Sequence, residues 1–394
     1  MNPQEQLDLL IQGTNQVISS ESLLEKLKTG RTLRIKLGFD PSSPDLHLGH
    51  AVVLDKVAQF QKLGHQAVII IGDYTARIGD PTGRSKTRPP LTPEQVKENA
   101  KTYTEQVFKI IDRTKTEVRF NGEWFDEFRY ADVLKLNSLI TVSQLLERED
   151  FKKRYTEGVS ITLTEFQYPL MQGWDSVMIR SDVELGGNDQ LFNNLVGRDL
   201  QRASDQEPQV VMVLPILVGT DGIKKMGKSL QNYVGLTESP SEMFGKTMSI
   251  SDETMALWRP MLGAQYGLDH PAPDHPMEAK KELAMAIIRR FHNAEAAQQA
   301  RDDFEAKFSK KDLSQADLEE KTISENPIWI VKLLQEVGAA PSGGEARRLI
   351  QAGAVTIDGE KITDPKANLS IPSTPQILKV GKKFFVKIRF NAAK

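Results

Sequence analysis

Residues 33–71 constrain the fold more than any other part of the chain. A strand-length segment at 33–39, Leu-Arg-Ile-Lys-Leu-Gly-Phe, is followed by a turn rich in Pro, Ser and Asp at 40–45, an apolar stretch at 48–63, Gly64, and a short apolar run at 67–71. Short apolar runs without polar alternation suit strands covered on both faces, and the longer stretch between them suits a helix. Strand, helix and strand in that order make a parallel pair joined by a right-handed crossover. Further apolar runs at 177–179 and 210–218, separated by polar helical stretches, read as additional parallel strands. The expectation is an α/β chain built on a doubly wound sheet.

At 394 residues the chain exceeds one ordinary domain. Residues 1–235 are expected to form a Rossmann-like domain, interrupted at about 121–155 by an aromatic and charged helical insertion between two half-sheets. Residues 236–308 turn wholly helical, with Pro276 opening a long helix whose Leu283, Ile287, Ile288 and Phe291 recur at helical spacing. The polar stretch 309–327 reads as a linker, and 328–394 as a small α+β domain. Net charge is −2, yet Lys366, Lys379, Lys382, Lys383, Lys387, Arg389 and Lys394 close the chain with no acidic residue among them. That tail is a candidate contact for a polyanion. The absence of cysteine excludes disulfides and thiolate metal sites and points to the cytoplasm. The first ten residues include Glu5 and Asp8, and no apolar run approaches the ~20 residues of a membrane helix.

Two motifs carry candidate chemistry. In His47-Leu48-Gly49-His50 a strand runs into a helix, so two imidazoles share one side where a helix N-terminus favours an anion. Alone, such a pair is compatible with a phosphate site, a structural role or metal binding, although no nearby acid completes a ligand set. The second motif, Lys225-Met226-Gly227-Lys228-Ser229, ends a stretch from Gly222 that matches the G-x-x-x-x-G-K-S phosphate loop. A phosphate loop passes straight into a helix, whereas Leu230-Gln231-Asn232-Tyr233-Val234-Gly235 is a poor helix start, and no magnesium-binding aspartate on a later strand is evident.

Taken together and in this order, the two motifs resemble the HIGH and KMSKS signatures of class I aminoacyl-tRNA synthetases. The resemblance extends through Gly79-Asp80-Pro81-Thr82-Gly83, Tyr168-Pro169-Leu170-Met171-Gln172-Gly173-Trp174-Asp175 and Gly186-Gly187-Asn188-Asp189-Gln190. Over nearly the whole chain it is similar to the bacterial tyrosyl-tRNA synthetases. The resemblance implies that Tyr168, Gln172 and Asp80 hold the substrate ammonium, and that Asp175 accepts a hydrogen bond from the phenol hydroxyl. Gln190, like Gly187 and Asp189, matches positions that hold the ATP ribose or the substrate carboxylate, and Asp40, Gly49 and Ser229 complete the nucleotide site. His47, His50, Lys225, Lys228 and Ser42 are implied to act on the phosphates in the transition state, with Mg2+ accompanying ATP and no structural metal. Without the resemblance, Asp80 and Asp189 read simply as turn residues. At the C-terminal end, Ser342-Gly343-Gly344-Glu345-Ala346-Arg347-Arg348 and Gly353-Ala354-Val355-Thr356-Ile357-Asp358-Gly359 resemble a small ribosomal-type RNA-binding domain. Arg347, Arg348, Lys387 and Arg389 then become candidate contacts to tRNA(Tyr), and a homodimer is implied.

Four positions depart from the commonest pattern of that family: Gly227 in place of a serine, Trp174, Asn188, and Lys36 where another branch carries a pocket tyrosine. Three competing readings remain at this level: a tryptophan-specific relative, a synthetase-like RNA-binding protein without charging activity, and a phosphate-loop nucleotidase.

Overall fold

The computed structural model describes residues 1–41, 45–79, 92–308, 318–381 and 384–390. Ser42 and Asp80 lie outside the described residues.

Six strands form the first sheet: β1 (Gln16–Ile18), β2 (Arg34–Phe39), β3 (Gln66–Ile71), β4 (Thr116–Phe120), β5 (Val183–Gly187) and β6 (Val210–Leu214), in the order β1-β6-β5-β2-β3-β4. The neighbours from β6 through β4 are parallel. Helix Leu48–Lys62 makes the crossover from β2 to β3, as the apolar pattern predicts. Every residue of β6 is buried, and so is all of β3 except its first residue, in keeping with strands covered on both faces. After β4 the chain returns to the other side of β2 to lay down β5 and β6. The order therefore reverses between β2 and β5, and in sheets of this kind ligands bind beyond the carboxyl ends of the strands at such a reversal.

Four details differ from the sequence reading. Residues 177–179 close helix Leu163–Ile179 with Val177 and Ile179 buried, and the strand begins only at Val183, after Arg180 has turned the chain at φ 50°. An apolar triplet at a helix end is not separable from a short strand by pattern alone. β4, whose sequence Thr-Glu-Val-Arg-Phe alternates polar and apolar, escaped that reading, and so did the short antiparallel edge strand β1. Ser22-Leu23-Leu24-Glu25 has the spacing of a capping box in the sequence, yet Ser19 is the residue that caps helix Ser20–Lys28: its side chain accepts from Ser22 N. Between β4 and β5 the insertion contains four short helices, Gly122–Phe125, Tyr130–Asn137, Val142–Leu145 and Glu149–Thr156.

Beyond β6, helices Pro240–Ser249, Asp252–Leu262, Pro276–Phe291 and Ala294–Phe308 follow. Helix Pro276–Phe291 buries Leu283, Ile287 and Ile288 completely. Trp258 Nε1 donates to Val218 O at 3.0 Å, and Arg290 pairs with Asp55 of helix Leu48–Lys62 at 3.0 Å, so this helical region is tied to the sheet domain.

The chain divides into two compact units, Met1–Ala300 and Arg301–Lys394. In the second, β7 (Glu320–Ile323), β8 (Ile328–Trp329), β9 (Val355–Ile357), β10 (Glu360–Ile362), β11 (Asn368–Leu369), β12 (Gln376–Val380) and β13 (Phe384–Phe390) form a five-stranded sheet of order β10-β9-β12-β13-β7 and a two-stranded pair, β11-β8. Helices Ile330–Glu336 and Gly343–Gln351 pack on a core that includes Leu333, Leu334, Ile350, Leu378 and Ile388. β7 lies in the stretch read as a linker. Its single apolar anchor, Ile323, is buried while Glu320 and Thr322 are exposed, too little patterning to mark a strand in the sequence.

Candidate active site

Helix Leu163–Ile179 carries Tyr168, Gln172 and Asp175 at spacings of four and three, which put them on one face. Asp175 is 3% exposed. Trp124 Nε1 donates to its Oδ1 at 3.0 Å and Asn121 Nδ2 to its Oδ2 at 3.4 Å. Burial pushes its carboxyl up to about 7, against the opposing pull of Lys36 and of those two donors. Asn121 Nδ2 also reaches Thr75 Oγ1 at 3.2 Å, and Thr75 Oγ1 donates to Asp40 Oδ1 at 2.8 Å. The Tyr168 hydroxyl donates to the other Asp40 oxygen at 2.7 Å. Asp40 at the end of β2 and Asp175 on the helix are thus joined through Thr75 and Asn121. Gly72 leaves room for that chain, since a Cβ there would stand 2.2 Å from Asp40 Oδ1 and 2.3 Å from Thr75 Oγ1. Gln172 accepts from Asn193 Nδ2 at 3.0 Å, and Gln190 accepts from the same amide at 3.1 Å.

Thr75, Asn121 and Trp124 were not singled out from the sequence. Asn121 is fully buried at the end of β4, and only the fold reveals that an asparagine there faces a carboxylate beyond the four helices of the insertion.

His47 caps the N-terminus of helix Leu48–Lys62, and its backbone N donates to His50 Nδ1 at 3.2 Å. The two rings lie 4.0 Å apart. Desolvation lowers both imidazoles, His47 further through its neighbour His50, and Lys228 and Lys225 add to the effect; His50 falls to about 4. Both rings are therefore neutral at ordinary pH and act as hydrogen-bond donors rather than cations. His47 Nδ1 is buried with no hydrogen-bond partner among the described residues. Gly49 lets the turn close: a Cβ would come 3.1 Å from the His47 ring.

The lysine motif lies on a hairpin that leaves β6. Met226 N donates to Leu217 O, and the buried Asn232 side chain accepts from Gly227 N at 2.9 Å and donates to Lys225 O at 3.2 Å. The chain after the loop runs beside the histidines, with Leu48 N donating to Val234 O and Leu236 N to Leu46 O. The two motifs, far apart in sequence, are neighbours in one wall. Lys225 Nζ lies 3.0 Å from Asp189 Oδ2 beyond β5, and Lys228 Nζ lies 3.1 Å from Asp45 Oδ2. Gly187 leaves room beside that pair, since a Cβ there would meet Asp189 Oδ1 at 2.8 Å and push that carboxylate aside. Gly227 makes no such room: its φ of −170° is extended, and open space surrounds its Cβ position. Ser229 is exposed on the single turn Lys228–Leu230, which Gln231 ends at φ 53°. No helix follows the lysines directly, so the stretch from Gly222 is not a phosphate loop. Among the described residues no group of three or more His, Cys, Asp or Glu could hold a metal ion.

A profile of the tRNA synthetases of class I (W and Y) matches residues 28–323, and a protein named tyrosine–tRNA ligase from Aquifex aeolicus is 51% identical, covering 98% of this chain and 99% of the relative. The chain belongs to the tyrosine–tRNA ligases. A relative of the same name from Thermotoga maritima is 50% identical and covers 98% of both chains. An S4 domain profile matches residues 328–372. The fold is also that of a tyrosyl-tRNA synthetase from Archaeoglobus fulgidus, solved with L-tyrosine, at TM-score 0.61 and 23% identity, covering 76% of this chain and 99% of that one. A truncated mitochondrial tyrosyl-tRNA synthetase from Aspergillus nidulans aligns at TM-score 0.62 and 20% identity over 77% of this chain and 93% of that one.

In the S4-like unit, Val386 and Ile388 are buried, and Lys387 and Arg389 alternate with them along β13. Arg389 pairs with Glu320 of β7 at 2.5 Å, and Arg348 pairs with Glu345 on its own helix. The Arg347 guanidinium lies 5.4 Å over the half-exposed ring of Trp329. Of the other departures, Trp174 packs edge-on to Phe128 at 6.3 Å within an apolar cluster, and Asn188 accepts from Asn15 at 3.0 Å.

Proposed function

We infer that the chain activates tyrosine with ATP and then transfers the tyrosyl group to the terminal ribose of tRNA(Tyr). The observation that carries this reading is Asp175: a buried carboxylate, already holding two N–H donors, that has acceptor capacity left for a phenol O–H. A ring without the hydroxyl leaves that capacity unfilled in a dry site, which is the costly case. Tyr168, Gln172 and Asp80 take the ammonium. The tyrosine carboxylate attacks the α-phosphorus of ATP, the bond to the β-phosphate oxygen breaks, and pyrophosphate departs with the charge. Lys225 and Lys228 leave Asp189 and Asp45 to meet that charge, while His47 Nδ1–H and His50, with Ser42, supply neutral donors at a helix N-terminus. Asp40, Gly49, Gly187, Asp189, Gln190 and Ser229 form the nucleotide and carboxylate rim. Magnesium enters with the phosphates as part of the substrate.

Arg347, Arg348, Lys387 and Arg389 bind tRNA phosphates, releasing Glu345 and Glu320. Exposed apolar side chains on and beside the insertion, Tyr130, Leu134, Val142, Tyr155 and Leu163, support docking of a second copy into a homodimer. The site of action is the cytoplasm; no helix among the described residues is long and apolar enough to cross a membrane.

Amino-acid-dependent exchange of labelled pyrophosphate into ATP tests the reading. Tyrosine supports exchange, and phenylalanine and tryptophan fail at equal concentration. Exchange with tryptophan would reassign the pocket to the tryptophan branch, and exchange with no amino acid would remove the synthetase reading.

A further inference from the structure

Behind the candidate tyrosine pocket lies a charge pair that the chemistry above does not use. Lys36 of β2 is 0% exposed and Glu184 of β5 is 1% exposed. Lys36 Nζ lies 2.9 Å from Glu184 Oε1, 2.7 Å from Ser176 Oγ and 2.7 Å from Gln172 O, so its three protons meet three acceptors. Glu184 is filled in turn: Ser176 Oγ donates to its Oε2 at 3.1 Å, Gln209 Nε2 donates to the same oxygen, and Gln172 Nε2 reaches Oε1 at 3.4 Å. Lys36 and Glu184 therefore grip helix Leu163–Ile179 at Gln172 and at Ser176, the residue after Asp175.

We propose that Lys36 and Glu184 are opposed positioning residues for tyrosine recognition: Lys36 holds Asp175 in its ionised, phenol-accepting form, Glu184 works against it, and together they fix Gln172 toward the ammonium. This rests on the preceding reading of Asp175 and Gln172. A buried pair of this kind is weak as a source of stability, and its placement gives it an electrostatic use. The charged groups acting on Asp175 among the described residues are Lys36 from β2, which lowers its affinity for a proton, and Glu184 from β5, which raises it; Trp124 and Asn121 contribute neutral donors from the end of β4 and the insertion. Asp175 titrates near neutrality because burial opposes its ionisation, so the balance of these two charges decides how much of it is ionised in the working range.

The test uses the Trp124 indole, whose Nε1–H is bonded to Asp175. Its 15N resonance, followed against pH in the full-length, ligand-free protein, reports the ionisation of Asp175 without any substrate. Lys36→Met raises the midpoint by about one unit or more, about a tenfold change in proton affinity. Glu184→Gln lowers it. Because Lys36→Met leaves a buried carboxylate without its cation, Lys36→Met/Glu184→Gln is the fold-preserving companion, with a midpoint above the wild type and below Lys36→Met. In pyrophosphate exchange at pH 7, Lys36→Met raises KM for tyrosine about fivefold or more, as the loss of ionised Asp175 requires, and kcat changes by less than about threefold. Midpoints that move the same way in Lys36→Met and Glu184→Gln, or a double variant at or below the wild type, overturn the proposal. Opposed midpoints without any tyrosine-dependent exchange overturn the reading of the pocket while leaving the control of Asp175 standing.

Discussion

At the residue scale the site is governed by desolvation. The two histidines are depressed from their ordinary value, so the unfolded chain binds protons that the folded chain refuses. Stability is thus fully present above pH 6.5 and is lost as pH falls from there toward about 4. Thermal unfolding across that window checks this: replacing both histidines by asparagine flattens the acid slope, and an unchanged slope contradicts it. Asp175 has the opposite sign. Its raised carboxyl protonates at about 7, so KM for tyrosine is expected to rise as pH falls below that point, while kcat, served by histidines that stay neutral, holds. Gly72 gives a steric test. Gly72→Ala places a Cβ on Asp40 and Thr75, and is expected to cost about 1–3 kcal/mol of stability and to weaken tyrosine binding. Denaturant titration and KM read both. Of these residues, Asp175 and the histidines were legible in the sequence because they sit in short motifs. Trp124, Asn121, Thr75 and Glu184 were not, because they converge only through pairing of β4 and β5 with the strands between them.

At the scale of elements, the lysine hairpin is the part that moves in the proposed reaction. Its anchors at the base are the Asn232 side chain and the backbone pairing of Leu46 and Leu48 with Leu236 and Val234. Its two lysines are tethered by Lys225 to Asp189 and Lys228 to Asp45, exposed or half-exposed pairs worth about 0–1 kcal/mol each. Such pairs exchange readily for phosphate oxygens. Lys228→Ala is expected to lower kcat for adenylate formation by roughly 100-fold or more, with tyrosine KM changed little, since the lysine meets charge that develops only in the transition state. Equal losses in kcat and in tyrosine affinity contradict that role. The helix crossing from β2 to β3 and the long helix at Pro276–Phe291 were readable from periodicity. β1, β4 and β7 were not, since short edge or polar strands take their stability from neighbours rather than from their own pattern.

At the scale of the whole molecule, the proposed roles fall on different units. The unit Met1–Ala300 holds the residues proposed to meet tyrosine and ATP, and the unit from Arg301 onward holds the basic residues of the S4-like domain. β7 belongs to that second unit, so a deletion beginning at Ser324 would strand it. A chain ending at Phe308 is the cleaner cut. It is expected to keep tyrosine-dependent pyrophosphate exchange within about threefold and to lose tRNA charging by about 100-fold or more, as removal of several phosphate contacts requires. Retained charging would take the arginines and lysines of the second unit out of the account. The boundary between the two units lies within helix Ala294–Phe308, away from the change to wholly helical sequence at 236 and short of the polar stretch 309–327, and the uniform helical pattern there hides it.

The central claim is that Asp175 selects tyrosine, and one ratio tests it most directly: kcat/KM for tyrosine over kcat/KM for phenylalanine, in charging of tRNA(Tyr) by the wild type and by Asp175→Asn at pH 8. The wild type is expected to prefer tyrosine strongly, and the variant to lose roughly 10- to 100-fold of that preference, the worth of one charged hydrogen bond in a desolvated site, chiefly through tyrosine. A variant that keeps the wild-type ratio would show that the hydroxyl is read elsewhere.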